Sequence, residues 1–146
     1  MKTILLVNGP NLNLLGTREP DIYGRTTLPE IEAAVAEEAR RLGLAIKAFQ
    51  SNHEGGIIDF IQREYREAAG IIINPGALTH YAYSLRDCLA GANIPIVEVH
   101  LSNIQKREEW RKKTVLTEVC TGLISGLGVK GYVMAVGYFT DDRGHG

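Results

Sequence analysis

The chain has 146 residues, 45% of them hydrophobic, so one domain can fold without a disulfide or a metal to staple it. The 16 basic and 17 acidic residues give a formal net charge of −1, which argues against a protein dedicated to nucleic acids or acidic membranes. No apolar run approaches the roughly 20 residues of a membrane span, and no signal peptide is recognisable, so a cytoplasmic protein is expected. We expect a single domain over 1–146, with a disordered tail at 141–146.

Short apolar runs alternate with helical patterns along the chain. The first strand is predicted at 4–8, and Thr27-Leu28-Pro29-Glu30 reads as a capping box that opens a helix ended by Gly43. The later elements are predicted, in order, as strand 44–49, helix 54–66, strand 70–74, helix 80–92, strand 94–99, strand 121–125 and helix 127–139. Such alternation predicts parallel strands with right-handed crossovers. The expected fold is α/β and flavodoxin-like, a five-stranded parallel sheet in a three-layer α/β/α sandwich.

Polar residues gather where three of these strands end, at Asn8, Asn74 and His100. In doubly wound sheets, ligands bind beyond the carboxyl ends of the strands. The sequence has no dinucleotide or P-loop glycine motif, no Cys/His cluster with zinc spacing, and no lysine placed like a Schiff-base amine. We therefore expect a site made of Asn, His, Arg, Ser and Tyr side chains, without a metal or a cofactor.

Two histidines follow the predicted strands. Glu98 lies two residues before His100 and hence on the same side of its strand, where a carboxylate would orient the imidazole and favour its acid-competent form. His80 is expected where a helix opens, with backbone N–H groups free to hold an anion or hydroxyl and with Thr79 as the cap. A lone histidine is more often structural than catalytic, and that alternative stays open.

The segment QKREEWRKK, 105–113, is rich in basic residues. Favourable i,i+4 pairs are predicted from Glu108 to Lys112 and from Glu109 to Lys113. Arg107 and Arg111 would then share a face, which is reasonable if an anion or a carboxylate lies near them. A solvated basic face, or a helix that binds RNA, is the alternative. Trp110 is expected to pack this helix down, not to bind a ligand.

The irregular stretch at 8–24 contains Arg18 and Tyr23, with Gly16 and Gly24 as candidate hinges. A phenol with a pKa of about 10 is a poor base at neutral pH, but a nearby guanidinium lowers that pKa. This loop could close over the strand ends and exclude water. From spacing alone, a tyrosine packed on the surface is the simpler interpretation.

Three stretches, NGPNLNLLGTREPDIYG at 8–24, NPGALTH with SLRD at 74–87, and EVHLSN with REEWR at 98–111, together resemble the type II 3-dehydroquinate dehydratases. The resemblance covers essentially the whole chain. It implies a lyase that dehydrates 3-dehydroquinate to 3-dehydroshikimate by trans elimination through an enolate, in the shikimate or quinate pathway. It also implies a flavodoxin-like fold, no cofactor, and a dodecamer built as a tetramer of trimers.

The resemblance implies a role for each matching residue. The elimination would use Tyr23 as the base at C2, Arg18 to keep Tyr23 ionised, Asn11 to hold a water against the enolate, and His100 as the acid for the C1 hydroxyl. The substrate would be bound by Asn74, which would also orient His100, by His80 and Arg111 at the ring hydroxyls, by Leu101 and Ser102 at the carboxylate, and by Asp87 from a neighbouring subunit. Glu98 and Arg107 would support these groups.

The sequence departs from the family pattern at Gly56, Trp110 and residues 112–114. None of these positions is a proposed catalytic group, so the departures bear on kinetics and subunit contacts. The alternative function from another class is a non-catalytic flavodoxin-like module that binds a small anion or a flavin.

Overall fold

The computed structural model describes residues 1–17, 21 and 24–140, so the predicted tail at 141–146 lies outside the described residues. The strands are β1 Lys2–Asn8, β2 Leu44–Gln50, β3 Gly70–Asn74, β4 Ile96–His100 and β5 Gly122–Ser125. The α-helices are α1 Leu28–Arg41, α2 Glu54–Glu64, α3 Tyr83–Ala92 and α4 Val129–Gly137. The alternating strands and helices predicted between 4 and 139 are therefore present, with ends that differ by a few residues.

The sheet has five parallel strands in the order β2-β1-β3-β4-β5. The strand order reverses between β1 and β3, and this is the switch point where doubly wound sheets bind ligands. The register places Asn8 beside Asn74 and Ile73 beside Glu98, so the polar strand ends meet at one edge. The predicted flavodoxin-like α/β fold is confirmed.

Both faces of the sheet are covered, which explains why the central strands read as unbroken apolar runs. One core layer joins α1 and α4 to alternate strand residues such as Ile4, Leu6 and Ile72. The other joins α2 and α3 to the residues between them, such as Leu5 and Ile71. A strand residue is therefore assigned to one layer or the other by the parity of its position, and this parity sorts the polar groups at the strand ends.

Local signals set the helix ends correctly in some places and not in others. The capping box is formed: the Thr27 hydroxyl accepts from the Glu30 backbone N–H, and the Glu30 carboxylate accepts from the Thr27 backbone N–H. Helix α3, in contrast, begins at Tyr83 and not at His80, because Gly76–His80 is a 3-10 turn. Among the described residues, no helix combines the length and apolar character that crossing a membrane requires.

The late start of α3 has a long-range cause. Thr79 is fully buried, and its hydroxyl donates to Glu98 and does not cap the helix. Its carbonyl oxygen accepts from the backbone N–H of Val115, 2.6 Å away, and so is not used in a helical hydrogen bond. The predicted cap at Thr79 is therefore wrong, and no helix N-terminus opens at His80.

Candidate active site

A depression with about 550 Å³ of empty space, open to solvent, lies at the carboxyl ends of the central strands. Its place is the one expected for a ligand site in a doubly wound sheet. The predicted site residues that line it are Asn11, Asn74, His80, His100, Leu101, Ser102, Arg107 and Arg111. Residues from distant parts of the sequence are thus brought together where the strand ends predicted them.

His100 is the last residue of β4 and is held from behind by Glu98. Nε2 of His100 lies 2.6 Å from Oε2 of Glu98, and both side chains are buried. The period of two along the strand places them on the same side of the sheet, as predicted. Because Nε2 is paired with the carboxylate, Nδ1 is the ring nitrogen left to meet a ligand in the depression.

Asn74 is held by a different group of residues. Its Nδ2 donates to the Tyr132 hydroxyl at 2.7 Å, and that hydroxyl donates to Oδ1 of Asn8, also at 2.7 Å. Its Oδ1 accepts from the Gly76 backbone N–H at 3.1 Å. Burial raises the pKa of Tyr132 well above its ordinary value, so this hydroxyl stays neutral. These residues fix the Asn74 amide from the α1–α4 layer.

The expectation that Asn74 orients His100 differs from this arrangement. Within the part of the chain that the structure describes, no hydrogen bond joins the two side chains. By strand parity, Asn74 points to the α1–α4 side of the sheet, and Glu98 with His100 points to the α2–α3 side. Glu98 is therefore the residue that orients His100.

Gly9 lets the ends of β1 and β3 come together beneath the depression. Its backbone N–H donates to the Asn74 carbonyl oxygen at 2.8 Å. A Cβ atom at this position would lie 2.5 Å from the Pro75 carbonyl oxygen, closer than any real side chain comes to backbone. The close approach of two backbone segments therefore requires glycine here.

Arg107 and Arg111 form a basic wall of the depression. The sequence predicts an anion or a carboxylate near this like-charged pair, and the Glu108 carboxylate lies there. Oε1 of Glu108 lies 3.0 Å from Nε of Arg111 and 3.7 Å from Nε of Arg107. Its own backbone N–H and the Arg111 side chain lower the pKa of Glu108. Nη1 of Arg107 also donates to the Ser102 hydroxyl at 3.3 Å. The two guanidinium groups are therefore already ordered for an anionic or hydroxylated ligand.

The segment that contains this wall is not the predicted continuous helix. It forms two 3-10 turns, Ile104–Lys106 and Glu109–Lys112. Glu108 pairs with Arg111 and Glu109 with Lys112, both at i,i+3 spacing. The predicted i,i+4 pairs are therefore wrong. Since the side chains of Arg107 and Arg111 are only 12% and 15% exposed, they do not form the open basic face that the RNA-binding alternative requires.

His80 lies against the same wall. Its Nδ1 donates to the Lys113 carbonyl oxygen at 2.6 Å, and its ring meets the Trp110 ring edge-on with centroids 5.0 Å apart. Burial, with smaller contributions from nearby positive groups, lowers the pKa of His80, which favours its neutral form. The Arg111 guanidinium stacks 4.2 Å above the Trp110 ring, which is 51% exposed. The prediction that Trp110 packs a helix down is wrong.

The remaining predicted residues fall in three other places. Arg18 and Tyr23 lie outside the described residues. Asp87 lines a separate depression between α2 and α3, away from the one that contains His100. Asn11 adopts a left-handed backbone (φ 71°) at the start of a short turn, a conformation that asparagine tolerates. Among the described residues, no three His, Cys, Asp or Glu side chains group as metal ligands.

Sequence reasoning missed four residues behind the site: Thr79 and Thr117 on Glu98, and Asn8 and Tyr132 on Asn74. The sequence marks Asn8 only as the end of a strand, and it predicts that Thr79 caps a helix. Tyr132 and Thr117 are distant in sequence from the residues they contact, and no local pattern marks them. Only the packing of α4 and of the 115–119 segment onto the sheet reveals their contacts.

Comparison with known proteins agrees with this geometry. The family model described as dehydroquinase class II matches residues 2–140. A 3-dehydroquinate dehydratase of Roseiflexus castenholzii is 53% identical over 98% of this chain and 91% of its own length. A catabolic 3-dehydroquinase of Aspergillus clavatus is 54% identical over 92% of this chain and 90% of its own.

A solved structure has a similar fold. The type II dehydroquinase of Propionibacterium acnes superposes with a TM-score of 0.93 at 41% identity, covering 97% of this chain and 98% of that one. Both the family model and these relatives span nearly the whole sequence, including the strands and turns that form the site. The chain belongs to the class II dehydroquinase family.

Proposed function

We propose that this protein is a hydro-lyase that dehydrates 3-dehydroquinate to 3-dehydroshikimate. Family membership supports the reaction, and the named relatives include both a 3-dehydroquinate dehydratase and a catabolic 3-dehydroquinase. The observation that carries the proposal is the buried His100–Glu98 pair, 2.6 Å apart, at the floor of a depression with two arginines in its wall. The alternative of a non-catalytic anion- or flavin-binding module is not favoured by this family.

The depression offers a complementary group for each part of this substrate. We assign the carboxylate to Leu101 and Ser102, partly through backbone N–H groups at the end of β4. The ring hydroxyls face His80 and Arg111, and Asn74 presents its fixed amide. Because Glu108 and the Trp110 ring already order Arg111, little side-chain entropy is lost when this group binds.

The elimination needs a base, a means of stabilising an enolate and an acid for the leaving group. In our scheme, the Tyr23 phenolate, kept ionised by Arg18, removes the proton from C2. A water held by Asn11 stabilises the enolate oxygen at C3. The enolate then reforms the ketone as the C1–C2 double bond forms and the C1–O bond breaks. His100 protonates the departing hydroxyl, which leaves as water, and solvent exchange returns the Tyr23 proton to His100.

The direct test follows 3-dehydroquinate turnover by the ultraviolet absorbance of the conjugated product, with Tyr23→Phe as the variant. This change removes only the ionisable oxygen, so we expect kcat to fall by at least about 100-fold. Tyr138→Phe, at the end of α4, is the matched control and should keep the rate of the unmodified protein.

Two results would contradict the proposal in different ways. A folded protein that makes no product from 3-dehydroquinate would remove the assigned reaction. Near-normal turnover by a folded Tyr23→Phe variant would keep the reaction but remove Tyr23 as its base.

We also propose that the chain assembles as a dodecamer, a tetramer of trimers, in which Asp87 reaches the substrate of a neighbouring subunit. Asp87 does not line the depression of its own chain, which supports a role across an interface. Tyr81 and Tyr83, close to it in sequence, are each 59% exposed and offer apolar surface for contact. Sedimentation at several protein concentrations tests this, and a monomer that turns over at full rate would contradict it.

A cytoplasmic location is part of the proposal. It is supported by Cys88 and Cys120, which are free thiols packed at the edge of the core and are compatible with a reducing compartment. Fractionation of the native cells, followed by the dehydratase assay on each fraction, tests the location.

A further inference from the structure

The carboxylate of Glu98 is fully buried and accepts three hydrogen bonds from side chains. Its Oε2 accepts from the Thr79 hydroxyl at 2.7 Å and from Nε2 of His100 at 2.6 Å. Its Oε1 accepts from the Thr117 hydroxyl at 2.6 Å. Both oxygens therefore have a donor, and two of the three donors are neutral hydroxyls that neither the strand pattern nor the resemblance identified.

The two threonines come from separate parts of the chain. Thr79 lies in the turn Gly76–His80 after β3, and Thr117 begins the turn Thr117–Val119 before β5. The backbone ties these segments together, because the Val115 N–H donates to the Thr79 carbonyl oxygen at 2.6 Å. Glu98 is thus held from three elements, which leaves its carboxylate a single orientation.

A buried carboxylate needs such donors to remain charged. Burial by itself raises the pKa of Glu98, but the contacts with His100, Thr117 and Thr79 outweigh burial and hold that pKa below its ordinary value. Hydrogen bonds to an ionised group are the strong class of hydrogen bonds. Each hydroxyl therefore stabilises the charged state of Glu98 more than its protonated state.

We propose that Thr79 and Thr117 are positioning residues that keep Glu98 ionised and aligned on Nε2 of His100, so that Nδ1 delivers the proton to the leaving hydroxyl. The delivery of this proton by His100 rests on the proposed function. Among the described residues, each hydroxyl donates to Glu98 and not to His100, and neither threonine lines the depression, so both act through Glu98.

Two other titratable side chains near this pair, His80 and Cys120, have shifted pKa values. His80, on the turn that contains Thr79, has its pKa lowered by burial and is neutral near pH 7. Burial and the nearby Glu98 raise the pKa of Cys120 to about 12, so its thiol stays protonated. The Arg111 guanidinium also lies close enough to act on His80 electrostatically. An acid limb that moves with the two threonines therefore reports protonation of Glu98.

The first test is the pH profile of kcat for Thr117→Val and for Thr79→Val, which remove one hydroxyl each at nearly constant volume. We expect the acid limb to move to higher pH by about one unit, a tenfold change in proton concentration, while the basic limb stays in place. Thr117→Ser keeps the hydroxyl and should restore the original limb.

Thr121→Val is the matched control. The Thr121 hydroxyl accepts from the backbone N–H of Ile96 on the same strand as Glu98, but it does not touch the carboxylate. Its acid limb should not move. A Thr117→Val profile lowered by one factor at every pH, or left unchanged, would overturn the proposal, because a structural defect has that signature.

A second measurement does not depend on turnover. The Tm deficit of Thr117→Val relative to the unmodified protein should be largest near neutral pH. It should shrink as pH falls below the ordinary carboxyl pKa of about 4.5 and through the lowered pKa of Glu98, because the charge that the hydroxyl stabilises is then lost. A deficit that is constant with pH would contradict the proposal. If the unmodified protein fails to dehydrate 3-dehydroquinate, the proposed function falls, and this measurement still tests the threonines.

Discussion

Two buried polar clusters support the site from opposite faces of the sheet, and they are built differently. The ionic cluster, Glu98 with His100, Thr79 and Thr117, lies on the α2–α3 side and has a donor for each carboxylate oxygen. The neutral cluster, Asn8, Tyr132 and Asn74, lies on the α1–α4 side. Among the described residues, Nδ2 of Asn8 is the one buried side-chain nitrogen or oxygen without a hydrogen-bond partner.

The difference matches the roles that we propose for His100 as an acid and for Asn74 as a binding group. A group that gives up a proton needs a partner whose charge tracks it, and a carboxylate provides that only if donors stabilise it in a dry site. An amide that only binds needs a fixed orientation, which a neutral hydroxyl provides at any working pH. The ionic cluster should therefore respond to pH and to single deletions, whereas the neutral cluster should respond mainly in stability and binding.

The largest expected effect is that of Glu98→Gln, which breaks the ionic cluster without changing its shape. In the proposed scheme His100 loses the carboxylate that supports it as the acid, so we expect kcat to fall by about 100-fold or more with little change in KM. The product absorbance assay measures both constants. Glu37→Gln removes a carboxylate that is paired with Arg40 on the exposed side of α1, and it should have no effect on either. Equal losses in the two variants would show that the ionic cluster has no special role.

Tyr132→Phe comes next and breaks the neutral cluster. The hydroxyl both accepts from Asn74 and donates to Asn8, so its removal leaves two buried amide atoms unpaired. We expect a loss of about 2 kcal/mol in the free energy of unfolding, measured with urea at fixed protein concentration. KM should rise a few-fold, with the acid limb of kcat unmoved. A shifted limb would join the two clusters into one functional unit and remove the contrast between them.

The smallest effect concerns the pH dependence of Tm. The pKa of His80 is lower in the folded protein than in the unfolded chain, so the unfolded chain binds more protons and stability falls as pH drops below about 6.5. His80→Asn should make Tm flatter between about pH 7 and pH 5, by a difference on the order of 1 °C.

His53→Asn, at the exposed start of α2, is the control for that measurement and should leave the slope as it was. A slope unchanged by His80→Asn would assign the acid sensitivity above pH 5 to other groups. Because the pKa of Glu98 is lowered in the folded protein, its charge stabilises the fold above the ordinary carboxyl pKa of about 4.5. This stabilisation is lost only as pH falls below that value.

The fold could be predicted from the sequence because its determinants are local and strong. Strands buried on both faces read as apolar runs, and α1 begins at a complete capping box. The strand-end rule then predicts that His100 and Asn74 meet at one place, whereas Arg111 is assigned to the site by the resemblance. Even the pairing of Glu98 with His100 needed only the period of two along a strand.

The errors lie in segments whose conformation depends on tertiary contacts at the site. Thr79 reads as a helix cap, but its partners are Glu98 and Val115. The 105–113 stretch has charges at helical spacing, but it forms 3-10 turns because Arg107 and Arg111 turn inward to the site. Local propensity is a weak guide where buried tertiary contacts compete with it.

The glycine beneath the site has a consequence for attempts to alter substrate choice. A Cβ atom at position 9 would lie 2.5 Å from the Pro75 carbonyl oxygen. A larger residue there cannot reshape the depression from below without separating β1 from β3. Redesign for another ring substituent is therefore better directed at side chains that line the depression, such as Ser102, Arg107 and Arg111. Directed libraries that randomise Gly9 should return almost only glycine among folded clones.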